Sequence, residues 1–136
     1  MAKPISFKSG SVVLAASQTV YKGGVACIDT AAHAFKGMVS ANTNLIPVGL
    51  FAEDCATTGA GTGTVMVVLN KELWGQWLDN AGGGSAVTAS NLYTDCYAFD
   101  DHTVSNVVSN NAVAGTVWDL DTLKGVFVVF PDTFGY

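Results

Sequence analysis

Short runs of β-branched and aromatic residues, each closed by Gly, Asn or Asp, follow one another along most of the chain, with little helical periodicity to compete. Their spacing predicts strands over residues 12–16, 24–29, 35–40, 47–52 and 64–69 in the first half, and over 92–99, 103–108, 112–118 and 125–130 in the second. Asp100-Asp101-His102 and the stretch 119–124 carry the Asp chemistry of turns and predict hairpin connections. Closely spaced strands with polar turns favour an all-β fold, a small antiparallel β-sandwich or barrel, over any βαβ arrangement. Two runs, Val65-Met66-Val67-Val68-Leu69 and Val126-Phe127-Val128-Val129-Phe130, are apolar at every position, so each needs cover on both faces. One helical segment is expected, over 71–80, where Leu73, Trp74, Trp77 and Leu78 fall on one side of a helix. The small-residue stretch 81–90 predicts a mobile loop or insertion. No repeat of fixed period is present, although the two halves share the strand-and-turn style.

The first ten residues, with Pro4, alternating Ile5 and Phe7, and a closing Gly10, predict an extended N-terminal arm. A single β domain over 11–131 and a short C-terminal tail over 132–136 complete the expected organisation. No apolar leader with a cleavage site is present in the first ten residues.

Charge then narrows the class of partner. Only 12% of the residues are charged, against roughly a quarter in an average domain, while 49% are hydrophobic. Such a surface suits lasting contact with other protein better than free diffusion. The net charge is -5, the six lysines are scattered singly, and there is no arginine. Nothing in this pattern draws a nucleic acid or an anionic membrane. Cys27, Cys55 and Cys96 have no metal-type or disulfide-type spacing and read as free thiols of a protein made in a reducing cytoplasm.

Candidate chemistry is sparse. Gly59, Gly61 and Gly63 lead into a strand rather than a helix, so they read as a turn and not as a phosphate loop. His33 beside Asp29, and His102 beside Asp95, Asp100 and Asp101, offer oxygen and nitrogen donors, but Asp at hairpin tips bonds its own backbone, and no metal is expected. Glu53 with Asp54, and Asp119 with Asp121, sit at strand ends and read as solvated turns. No nucleophile elbow is present, so no catalytic residue, cofactor or enzymatic activity is expected. The aromatic set carries more: Pro4, Ile5 and Phe7 on the arm, Trp74, Trp77 and Leu78 on the expected helix, and Phe134 and Tyr136 on the tail are candidate interface anchors.

In order along the chain, Val20, Gly23 and Ala26 match an early Val-x-x-Gly-x-x-Val unit with Ala in the last place. Pro47, Val48 and Gly49 then match a Pro-x-Gly unit, and Ala114 to Val117 a late Ala-Gly-x-Val unit before a final apolar strand. In this series, over roughly residues 10–130, the chain resembles the small capsid cement or decoration proteins of tailed bacteriophages. The resemblance implies a β domain on the outer surface of an expanded head, a homotrimer that clamps neighbouring major capsid protein subunits, made in the host cytoplasm and carried on the virion. A carbohydrate-binding or adhesion module that stacks sugars on exposed Trp and Tyr is the expectation from a different class.

Overall fold

The computed structural model describes residues 9–59, 61–69 and 74–130; each of the nine predicted runs contains a strand, and three further strands join them. In chain order these are β1 (Ser9–Leu14), β2 (Thr19–Val20), β3 (Val25–Asp29), β4 (Ala34–Gly37), β5 (Leu45–Phe51), β6 (Cys55–Ala56), β7 (Gly63–Leu69), β8 (Trp74–Asn80), β9 (Asp95–Asp100), β10 (Thr103–Ser105), β11 (Val113–Asp121) and β12 (Gly125–Phe130). The architecture is all-β, as the pattern predicts. Five strands close one barrel in the order β1-β4-β3-β5-β7, and five more close a second in the order β10-β8-β12-β11-β9, while β2 and β6 form a small ribbon. Closure pairs every barrel strand on both sides, so neither barrel has an open edge among the described residues.

The two barrels have one topology. Labelled from first to fifth strand within each half, the first pairs in parallel with the third, and every other neighbouring pair is antiparallel. Registers agree as well. Ala26 faces Gly49 as Cys96 faces Gly115, Phe51 faces Val67 as Val117 faces Val128, and Leu14 faces Phe35 as Asn80 faces Val104. The third of these couples the parallel pair of the first barrel with that of the second, where Val104 lies beside Asn80. Even the turn before the second strand recurs, with Gly23 and Tyr93 both at positive φ and each donating its amide to a carbonyl at the corresponding position of the fourth strand, Phe51 or Val117. This superposition brings sequence likeness into view: Val65-Met66-Val67-Val68 lies on Val126-Phe127-Val128-Val129, Val39-Ser40-Ala41-Asn42 on Val108-Ser109-Asn110-Asn111, and His33 on His102. The apolar runs thus close their barrels in the same way, with Val65 and Val67, and Val126 and Val128, buried inside.

Three expectations are corrected. Residues 74–80 form β8, not a helix, because the run pairs along its length with β12 and so alternates side chains between the two faces of a sheet. The helical turns lie later, as short 3-10 turns at Gly83–Ser85 and Ala89–Asn91. They are pinned rather than free: the Asn80 side chain both donates to and accepts from the backbone of buried Val87, and Asn106 bonds Ser85 and Ala86. At the amino end, Ser9 and Gly10 belong to β1, opposite Val68 and Val67, rather than to an arm. The tail 132–136 lies outside the described residues.

The barrels meet through a strand buried twice. Ala26 of β3 packs inside the first barrel, whereas Val25 and Cys27, on its outer face, join Met38 and Leu45 in the core of the second barrel. Backbone bonds fix the contact: the Val25 amide donates to the Asp101 carbonyl (2.7 Å) and the Ser40 amide to the Phe99 carbonyl (3.0 Å). The Asn111 side chain accepts from the Ala41 amide at 2.7 Å. Val25 corresponds to the exposed Asp95 of the second barrel. Val25→Asp, which buries an unpaired carboxylate, should therefore lower stability by about 3 kcal/mol or more, whereas Asp95→Val should change it by less than about 0.5 kcal/mol. Urea unfolding followed by far-UV circular dichroism measures both.

Candidate docking surface

Alternation along β8 separates residues that the sequence places together. Leu78 points inward and is buried in the second core, so it is no part of a docking face; Trp77 points outward and is half-buried. Trp74 also lies in β8, opposite Phe130. Trp77 sits across from Phe127 of β12, their rings 5.2 Å apart and steeply inclined, and the Lys124 ammonium stands 5.4 Å from the Trp77 ring. The Phe127 ring also covers the backbone at Gly75, where any side chain would collide with it. Pro4, Ile5, Phe7, Phe134 and Tyr136 lie outside the described residues.

More apolar surface stands near this pair. Trp118 is at the irregularity where β11 shifts register against β12, between Val117 and Asp119, and its ring meets Tyr93 edge to face at 5.5 Å; both rings are largely exposed. At the β11–β12 turn, Asp121 Oδ1 accepts from the amides of Leu123 and Lys124 at 2.8 and 3.0 Å, and Gly125 takes a positive φ of 97° where a Cβ would strike the Leu78 carbonyl. That rigid turn holds Leu123 in water at 96% exposure. The corresponding outer face of the first barrel, on β1 and β7, carries Val13, Met66 and Val68, aliphatic where the second is aromatic. Tyr93, Trp118 and Leu123 escape the sequence reading as anchors, because exposure on a strand depends on the partner strand and the turn, which periodicity alone does not give.

The polar groupings serve the turns. Asp29 is buried, and its carboxylate accepts from the amides of Ala31 and Ala32, from Asn42 and from Lys36, the last at 2.9 Å. Burial alone would raise its pKa; these four donors outweigh that and hold it well below the usual carboxylate range. The group forms one wall of an open cleft of about 460 Å³ that Ala31, Asn42 and Asn44 also line. At the corresponding turn of the second barrel, His102 Nδ1 lies 2.8 Å from Asp101 and 3.2 Å from Asp100, and Nε2 lies 3.7 Å from Asp79. The bond to Asp101 raises the imidazole pKa above its ordinary value. Asp100, Asp101 and His102 bring their donor atoms within 4.8 Å of one another, so among the described residues they are the group that could hold a cation; Asp100 already caps the His102 amide at 3.0 Å.

Burial pushes the Cys96 thiol up to about 12 and that of Cys27 higher still. In the folded protein a thiol reagent should therefore modify Cys55 alone, and all three cysteines only after unfolding, as counted by mass spectrometry. Asp29, with its folded pKa depressed, contributes stability that is present above its unfolded value near 4 and is lost as pH falls below it. Asp29→Asn should lower stability at pH 7 by about 2–3 kcal/mol and flatten the acid limb of the stability profile, read by urea titrations between pH 7 and pH 3. Comparison with protein-family models, with curated proteins and with solved structures finds no match.

Proposed function

We propose that this chain is a structural, non-enzymatic protein that decorates the outer surface of an expanded tailed-phage head and strengthens contacts between major capsid protein subunits. The observation that carries the reading is the solvent-facing apolar set on the second barrel, Tyr93, Trp118, Leu123 and the Trp77–Phe127 pair, on a chain with few charges. Aromatic and aliphatic groups held rigidly in water, with few ions to desolvate, suit a broad protein contact that survives salt. The ordered series of glycine and valine units supports the same reading. Repetition over a symmetric shell multiplies weak contacts into high occupancy.

The test mixes the purified chain with purified expanded heads lacking it and measures occupancy by cryo-electron microscopy. The full chain should saturate defined surface positions and raise the temperature at which heads rupture. Trp118→Ala combined with Leu123→Ser should reduce affinity at least about tenfold while leaving the fold intact. Absence of binding by the full chain contradicts the proposal.

The exposed Tyr93–Trp118 pair supports a second reading, a surface that stacks a sugar ring. Saturable binding on a glycan panel, lost in Trp118→Ala, would favour that function instead.

A further inference from the structure

Three positions of the shared topology change character together between the barrels. Where the first barrel has Gly23, Val25 and Ala52, the second has Tyr93, Asp95 and Trp118. Register gathers these three on one outer patch. Thr116 of β11 lies opposite Asp95 of β9, and Trp118 follows two residues on, so its side chain leaves the same face and stands diagonally from Asp95. Tyr93 meets the Trp118 ring edge to face at 5.5 Å. That tyrosine strains the backbone: its φ of 65° lies in the left-handed region, where Gly23 stands at 90° with no Cβ to crowd the chain. Burial does not offset the strain, since Tyr93 is 67% exposed. The ring gains nothing from either core, so its use lies outside the chain's own packing.

The charges around the two rings select the occupant. Asp95 is exposed, and its carboxylate has no hydrogen bond or ion pair among the described residues. Asp119, next to Trp118 and opposite Phe127, is a second exposed carboxylate, and it accepts only from the Leu120 amide. Lys124 is already placed, over Trp77. An exposed indole between two carboxylates favours a cation. Among side-chain cations, only the planar guanidinium both lies flat on an indole and donates two parallel N–H bonds to a carboxylate. An apolar side chain in its place would desolvate Asp95 without giving it a donor. We infer that Tyr93, Asp95 and Trp118 form a receptor for one arginine side chain of a protein partner, the guanidinium lying on Trp118 and donating to Asp95 while Tyr93 closes one side. This chain contains no arginine, so a second copy cannot supply the group and the partner is a different protein. The inference rests on the reading of this face as a protein contact and names the group that the face takes.

Nuclear magnetic resonance of the full chain tests it, with the indole N–H signals as reporters and N-acetyl-argininamide as the probe. The probe should shift the Trp118 signal saturably, with a Kd of about 1–10 mM. The Trp77 signal, whose ring already carries Lys124, should hardly move. N-acetyl-citrullinamide, of the same shape but uncharged, should bind at least about tenfold more weakly. Asp95→Asn and Tyr93→Gly should each weaken binding of the arginine probe at least about fivefold. Both side chains are exposed, and dispersed amide spectra verify that the variants fold. No saturable shift at Trp118, an equal response to the two probes, or an unchanged response in Asp95→Asn overturns the inference. Tighter binding of methyl glucoside than of the arginine probe also overturns it, in favour of sugar stacking. Purified heads separate it from the proposed role: head binding that Asp95→Asn leaves unchanged overturns the arginine receptor and retains shell binding, whereas probe binding without head binding overturns the shell role and retains the receptor.

Discussion

Burial of β3 on both of its faces is the constraint on which the rest of this structure depends. A strand in a small barrel ordinarily gives one face to the core and the other to water. Here Ala26 serves the first barrel while Val25 and Cys27 serve the second, so the core of the second barrel is completed by residues of the first. The backbone bonds from Val25 and Ser40 hold the register of that contact, and the Asp29 network braces the adjoining hairpin.

Duplication of one five-strand topology explains features that look unrelated along the chain. The two fully apolar runs are the last strands of their barrels, and the only two histidines stand at the same turn position. The differences between the halves are equally informative. Ser11 and Met66 face each other where the second barrel has Trp77 and Phe127, and Val25 stands where it has Asp95. One barrel is specialised for docking within the chain, while the other presents aromatic surface outward.

Much of the fold was legible in the hydrophobic pattern, since alternation and turn chemistry place all of the longer strands apart from β8. That strand was hidden because Trp77 and Leu78 are adjacent apolar residues on opposite faces, and with Leu73 and Trp74 they imitate helical spacing. The stretch 81–90 has the composition of a mobile loop or insertion because its anchors, Asn80 and Asn106, lie outside it and act through bonds to its backbone. The duplication shows in the sequence only as a shared strand-and-turn style without a fixed period, because its connections differ: β6 lies between β5 and β7, while a tight turn joins β11 to β12. Of the expected interface residues, the structure keeps Trp77 on an outer face and removes Leu78 to the core. Tyr93, Trp118 and Leu123 became visible only once the barrels closed.

The proposed role on a shell draws on the outer aromatic face of the second barrel and presupposes that the barrels are locked together by the outer face of β3. Native-state hydrogen exchange measured residue by residue addresses that lock most directly. The account predicts that the Val25 and Ser40 amides, which bond across the contact, are protected to the same degree as the interior ladder at Val67. Exchange of Val25 and Ser40 at the rate of exposed loops, with Val67 still protected, would contradict it.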